Sequence, residues 1–282
     1  MPAASLRAAG PSGDTADPGT VGGASRRVAS LAVLGDSTAV GLGDPLPDGR
    51  WRGFGPLLAA ALGATDRLLY RNVSRSGARI ADLRREQMPR AVAVRPEVAV
   101  ILAGMNDTLR SDFNPVTLRD DLDVVVATLQ AAGAVVLVTR FHDHGRVFRL
   151  PGPLRRALNQ RISQLNEAID EVVAARGALC LDVHQLPGAY ESAAWSADRL
   201  HPCERGHRML AGGYAELLTQ AGIEVPYPVE LACAGGRRLT SAHHVAWLVC
   251  HGLPWLARRG RDLIPHAAAV MLRELAGRVR RA

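Results

Sequence analysis

Lysine is missing from this chain: all 34 basic residues are arginine. The absence excludes chemistry built on a lysine, whether a P-loop lysine on a phosphate or a Schiff base to a carbonyl. Aromatic residues are scarce at 4%, so a core must be assembled mainly from Ala, Val and Leu. Cysteine is rare. Cys180, Cys203, Cys233 and Cys250 show no CxxC spacing, so neither a disulfide framework nor a zinc knuckle is expected. No apolar run approaches the ~20 residues that cross a bilayer. The stretch 1–28 is rich in Gly, Pro, Ala and Ser and lacks the apolar segment of a secretory signal. It reads as a disordered leader on a cytoplasmic protein.

Acidic residues are scarce only at one end. Residues 1–224 hold 25 arginines against 24 acids, while 225–282 hold 9 arginines against 3 acids. The net charge of +7 therefore belongs to the C-terminal stretch, and no nucleic-acid binding is read from the overall basicity. "IEVPYPVE" (223–230) reads as a linker. Two helical patterns follow, "SAHHVAWLVCHG" and "DLIPHAAAVMLRELAGRVRRA"; in the second, Leu263, Ile264, Met271, Leu275 and Val279 approximate one stripe. Residues 224–282 are thus expected to form a basic helical extension. Packing on the body is its default role, with an anionic membrane surface or a partner protein as alternatives. Oligomeric state is not readable.

What the body does contain is alternation. Short β-branched apolar runs at 30–34, 68–73, 98–102, 134–139 and 178–183 are separated by helical patterns at 55–62, 80–93, 115–132, 153–176 and 204–221. Strands apolar on both faces, interleaved with helices, predict a parallel sheet covered on both sides, one α/β domain over 29–223.

In such a sheet, ligands bind beyond the carboxyl ends of the strands. After the first strand stands "GDS", with Ser37; after the second, "NVSRSG", with Gly77; after the third, "GMND", with Asn106. "RFHDHG" follows the fourth, and "DRLH", with Asp198 and His201, precedes the last helix. These make a hydrolytic set. A serine hydroxyl needs an adjacent base, which His201 can be. Asp198 can hold the other imidazole nitrogen. The Ser37 N–H, the Gly77 N–H and the Asn106 amide can serve as oxyanion donors.

Those four blocks, in that order, resemble the GDSL family of esterases and lipases in its SGNH hydrolase branch. The first block departs slightly, reading GDST. The resemblance covers 35–201 and implies a three-layer flavodoxin-like sandwich with five parallel strands in the order 2-1-3-4-5. It further implies Ser37 as nucleophile, His201 as base, Asp198 as its partner, Gly77 and Asn106 in the oxyanion hole, and a small or medium acyl ester as substrate without a cofactor. Acyl transfer on the same site, and a non-catalytic scaffold that retains it, stand as alternatives.

Blander readings exist for each residue. Ser37 alone would be a helix N-cap, Asp107 another cap, and Gly77 a turn glycine. His142 and His144 read as walls of the substrate pocket, since a His-x-His loop lacks a third ligand for a metal. "GLG" at 41–43 is not completed as a dinucleotide fingerprint, because position 46 is leucine.

Overall fold

The computed structural model describes residues 25–63, 68–148 and 152–236. The expected leader up to residue 24 and the basic stretch from 237 onward lie outside the described residues. The elements, in chain order, are β1 (Ser30–Gly35), α1 (Ser37–Val40), α2 (Phe54–Ala61), β2 (Leu69–Asn72), α3 (Ile80–Asp82), a π-turn (Leu83–Gln87), α4 (Met88–Val92) and β3 (Val98–Leu102). Then come α5 (Met105–Thr108), α6 (Pro115–Ala131), β4 (Val135–Arg140), α7 (His144–Phe148), α8 (Gly152–Arg176), β5 (Leu179–Asp182) and α9 (Glu204–Gln220).

The strands pair in the order β2-β1-β3-β4-β5. Every pairing is parallel, with Val33 opposite Asn72 and Val100, and Val138 opposite Ile101 and Cys180. This is the expected flavodoxin-like order. Position in the sheet explains composition: all residues of β1 and β3 are buried, whereas edge strand β2 alternates exposed and half-buried. One face is covered by α6 against α8, α3 and α4, the other by α2 against α9. Because aromatics are few, Phe54 of α2 and Tyr214 of α9 stand out. Both are fully buried, with ring centroids 5.1 Å apart, in a core made mainly of Leu, Ile, Val and Ala.

The two ends of the body meet. Arg26 pairs with Ile223 in a parallel bridge, and Arg27 grips the Glu224 carboxylate at 2.8 and 2.9 Å. The segment 224–236 then runs without helix over α2 and α9. Glu204 at the start of α9 accepts from Arg52 at 2.7 Å, from Arg208 at 2.9 Å and from the Ala234 N–H at 2.6 Å. Arg52 in turn holds the fully buried Asp44 at 2.9 Å.

Three turns of structure are not in the sequence reading. The expected single helix over 80–93 is interrupted by the π-turn, and the four-residue helices α1 and α5 replace what reads as loop. The π-turn aims Gln87 inward. Gln87 is 1% exposed, and its amide pairs with both backbone groups of Gly35, accepting from N–H at 2.8 Å and donating to C=O at 2.9 Å. A glutamine thereby continues the hydrogen bonding of β1 at the point where the chain turns toward Ser37.

Candidate active site

Sheet topology brings the segments that follow all five strands to one place. At the end of β1, Asp36 takes the N-cap of α1, its carboxylate accepting from the Thr38 N–H at 3.0 Å. Asp36 rather than Ser37 therefore satisfies the helix, and the Ser37 hydroxyl is left for other work. Ser37 occupies the first position of α1, where helical N–H groups have no acceptor within the helix.

Ser37 Oγ lies 2.8 Å from His201 Nε2, and His201 Nδ1 lies 2.7 Å from Asp198 Oδ2. The other carboxylate oxygen of Asp198 accepts from Ser196 Oγ at 2.6 Å, the Leu200 N–H at 2.8 Å and the His201 N–H at 3.0 Å. Burial pushes the Asp198 carboxyl up, but the hydrogen bonds from His201 and Ser196 outweigh it and hold the group below its ordinary range. Asp198 is thus an anion placed to keep a proton on Nδ1, which leaves Nε2 bare toward Ser37. The loop that carries them is closed by the Trp195–Pro202 bridge and by Ser196 N–H to His201 C=O at 2.8 Å.

The other two blocks converge on the same turn. Gly35 C=O accepts from the Arg75 N–H at 3.1 Å, which draws the loop after β2 alongside Ser37. Gly77 in that loop has φ of 77°, and nothing lies within 4 Å of where a Cβ would stand. Only glycine adopts this geometry freely while keeping the approach to its N–H open. The Asn106 amide donates to Ala78 C=O at 3.2 Å and to Asp36 Oδ2 at 3.4 Å. It therefore touches the chain neighbours of both Gly77 and Ser37. Asp107, next to it, accepts from Arg79 at 3.2 Å and from the first N–H of α3, that of Ile80, at 3.2 Å. Burial raises both Asp36 and Asp107 to about 6.

The "GLG" stretch has a packing role. A Cβ on Gly43 would stand 2.0 Å from Pro202 C=O and 3.2 Å from His201 Cβ. Leu42 C=O accepts from Nε2 of the buried His207 at 3.0 Å. The chain after Ser37 is thus pressed against the loop that carries His201.

Beside Ser37 opens a pocket of about 70 Å³, bordered by Asp36 and Thr38 on one side and Leu200 and Pro202 on the other. Leu186 and Trp195 form part of its apolar lining. His142 and His144, expected at the pocket wall, both line it, 3% and 4% exposed, with His142 Nε2 3.1 Å from His144 Nδ1. Burial lowers His142 to about 4 and holds His144 well below its ordinary value. Sequence reasoning missed Gln87, Ser196 and Trp195. Gln87 alone carries a signal, as the polar member of the buried helical stripe Ile80, Leu83, Gln87, Ala91. Among the described residues no three of His, Cys, Asp and Glu gather to hold a metal ion, and no helix is long and apolar enough to cross a membrane.

Three solved structures share this architecture. The esterase EstA from a Pseudoalteromonas species, solved with monoethylphosphonate as inhibitor, is 18% identical, with a TM-score of 0.53 over 68% of this chain and 98% of that one. LAE5, an alpha/beta hydrolase enzyme from the metagenome of Lake Arreo, is 20% identical, with a TM-score of 0.54 over 68% and 95%. Axe2, an acetylxylan esterase from Geobacillus stearothermophilus, is 18% identical, with a TM-score of 0.53 over 69% and 96%. At these identities the likeness carries the fold alone. No curated protein matches the sequence. The sequence profile of the GDSL-like lipase/acylhydrolase family matches residues 33–209. With well over half of its length matched, the chain belongs to the GDSL-like lipase/acylhydrolase family and is a serine hydrolase of carboxylic esters.

Proposed function

We propose that Ser37 is the nucleophile, His201 the general base and acid, and Asp198 the group that orients it. The observation that carries this reading is the unbroken hydrogen-bond chain from Ser37 Oγ through His201 to Asp198, at 2.8 and 2.7 Å. As Ser37 Oγ attacks the ester carbonyl carbon, its proton passes to His201 Nε2, and the carbonyl π pair moves onto oxygen. The Ser37 N–H, the Gly77 N–H and one Asn106 amide hydrogen receive that oxyanion. The Asn106 contact to Asp36 is long at 3.4 Å, so it is the hydrogen most readily turned toward substrate. Collapse breaks the bond to the alcohol oxygen, which takes the proton from His201. Water, deprotonated by the same imidazole, then releases the acyl group from Ser37.

The domain from 29 to 223 carries this machinery. The pocket of about 70 Å³ beside Ser37, with its mostly apolar lining, supports small to medium acyl esters as substrates. Axe2 offers a parallel for the Asp-x-x-His pair: its catalytic mutants replace a histidine, or an aspartate three positions before it, with alanine.

The test is hydrolysis of p-nitrophenyl acetate and butyrate, together with labelling by an alkylphosphonate. The wild-type chain should hydrolyse both esters and gain one phosphonate on Ser37. Ser37→Ala should do neither. Undiminished hydrolysis by Ser37→Ala would overturn the assignment.

A further inference from the structure

The pocket beside Ser37 is apolar over most of its wall, and His142 is one of the few polar residues in it. This residue follows β4 by two positions and is 3% exposed. Its ring is fixed by three others, Trp195 and His144 at 4.9 Å and Tyr190 at 5.6 Å between centroids. Nε2 is engaged by His144 Nδ1 at 3.1 Å. Nδ1 is buried without a hydrogen-bond partner. A leucine or phenylalanine would fill the same wall without leaving a polar atom there, and such an atom is destabilising when it stays unpaired.

Burial keeps this imidazole neutral. A neutral imidazole carries one N–H and one bare nitrogen. Because Nε2 is shared with His144, each of the two arrangements of the shared proton fixes what Nδ1 offers. If His144 donates, His142 Nδ1 bears the hydrogen and is a donor. If His142 donates, Nδ1 is an acceptor. The position can therefore meet a hydroxyl in either sense and a carbonyl in one, whereas a plain methylene leaves it unpaired.

We propose that His142 Nδ1 is a specificity contact, selecting esters whose short chain bears a hydroxyl or carbonyl oxygen that reaches the pocket wall. The proposal rests on the catalytic reading of Ser37. The pocket borders the flanks of both Ser37 and His201, so the oxygen can belong to the acyl group or to the alcohol.

Two pairs of esters separate those sources, using the full chain. In the acyl arm, kcat/KM for p-nitrophenyl 3-hydroxybutyrate is compared with p-nitrophenyl butyrate. In the alcohol arm, glycerol monobutyrate is compared with butyl butyrate. The expected result is a preference of about fivefold or more for the oxygenated ester in at least one arm. In His142→Phe that ratio should fall to near one. In His142→Asn, whose side-chain amide reaches the place of Nδ1, most of it should remain. A wild-type ratio below about fivefold in both arms, with hydrolysis still dependent on Ser37, overturns this proposal alone. So does a ratio that survives in His142→Phe; should that variant not fold, loss of the ratio in His142→Asn has the same force. Hydrolysis of the four esters by Ser37→Ala would remove the catalytic reading and this proposal together.

Discussion

A single amide ties the Ser37 turn to the Gly77 turn. Asn106 donates to Asp36 and to Ala78 C=O, and in the proposed reaction it also serves the oxyanion. Asn106→Ala should therefore lower kcat by ~10²–10³-fold, while thermal unfolding followed by circular dichroism stays cooperative. A wild-type kcat would remove Asn106 from the oxyanion hole.

Asp36 gives a second residue-level test, through pH. Burial holds its carboxyl at about 6, above the ordinary 3.8. The folded chain thus binds this proton more tightly than the unfolded one. Its contribution favours the fold fully below about pH 4 and is lost as pH rises through about 6. Asp36→Asn has no proton to lose, and its side-chain oxygen can still accept from Thr38. The Tm of Asp36→Asn minus that of wild type should therefore increase as pH is raised from about 4 to about 7. A flat difference would show that the carboxyl is not perturbed. The site blocks were legible because three follow a strand and the fourth precedes the last helix, and Ser37, Asn106, Asp198 and His201 are polar residues with no reason to be in a core. That Asp36 would take the cap and leave Ser37 free was not legible, since both residues cap helices well.

Among the elements, the π-turn is the one that strand and helix periodicity could not reveal. A single extra residue in a helical turn leaves the apolar stripe almost intact, and only the polar Gln87 within it marks the site. Gln87→Leu would leave the Gly35 N–H buried and unpaired, a cost of about 2 kcal/mol. The Tm should drop by roughly 4–8 °C in a domain of this size. An unchanged Tm would mean that Gly35 finds another partner. The strands were read to within a residue or so, because β1 and β3 are largely apolar and buried throughout. α1 and α5, at four residues each, are too short to carry a period at all. The packing of Gly43 on Pro202 was equally hidden, as it joins segments far apart in sequence. Gly43→Ala brings a methyl group against a carbonyl and must shift the His201 loop. Since a misplacement near 1 Å can cost ~10²-fold in rate, kcat should fall by about 10- to 100-fold, more than any loss of stability explains.

At the scale of the whole molecule, charge clusters near the site and ties down the segment that leads out of it. Glu204 collects Arg52, Arg208 and the Ala234 N–H within 3 Å. It is placed one helix start away from His201. Glu204→Ala should speed hydrogen exchange at Ala234 and lower Tm by several degrees, on the basis of about 2 kcal/mol for a partly buried network. Protection of Ala234 unchanged from wild type would show that 230–236 is held by other contacts.

The hydrogen bond between Ser37 and His201 spans 164 positions of sequence. Ser37 hangs from a central strand, while Asp198 and His201 follow β5 at the sheet edge. The neighbourhood of Ser37, the proposed nucleophile, can be in place while the edge is still open, but His201, its proposed base, reaches it only when the last strand has docked. Turnover is therefore a clock that starts only at the end of folding. In a refolding experiment, burial of Phe54 and Tyr214 would report the assembled core, and ester hydrolysis would report the moment His201 has reached Ser37.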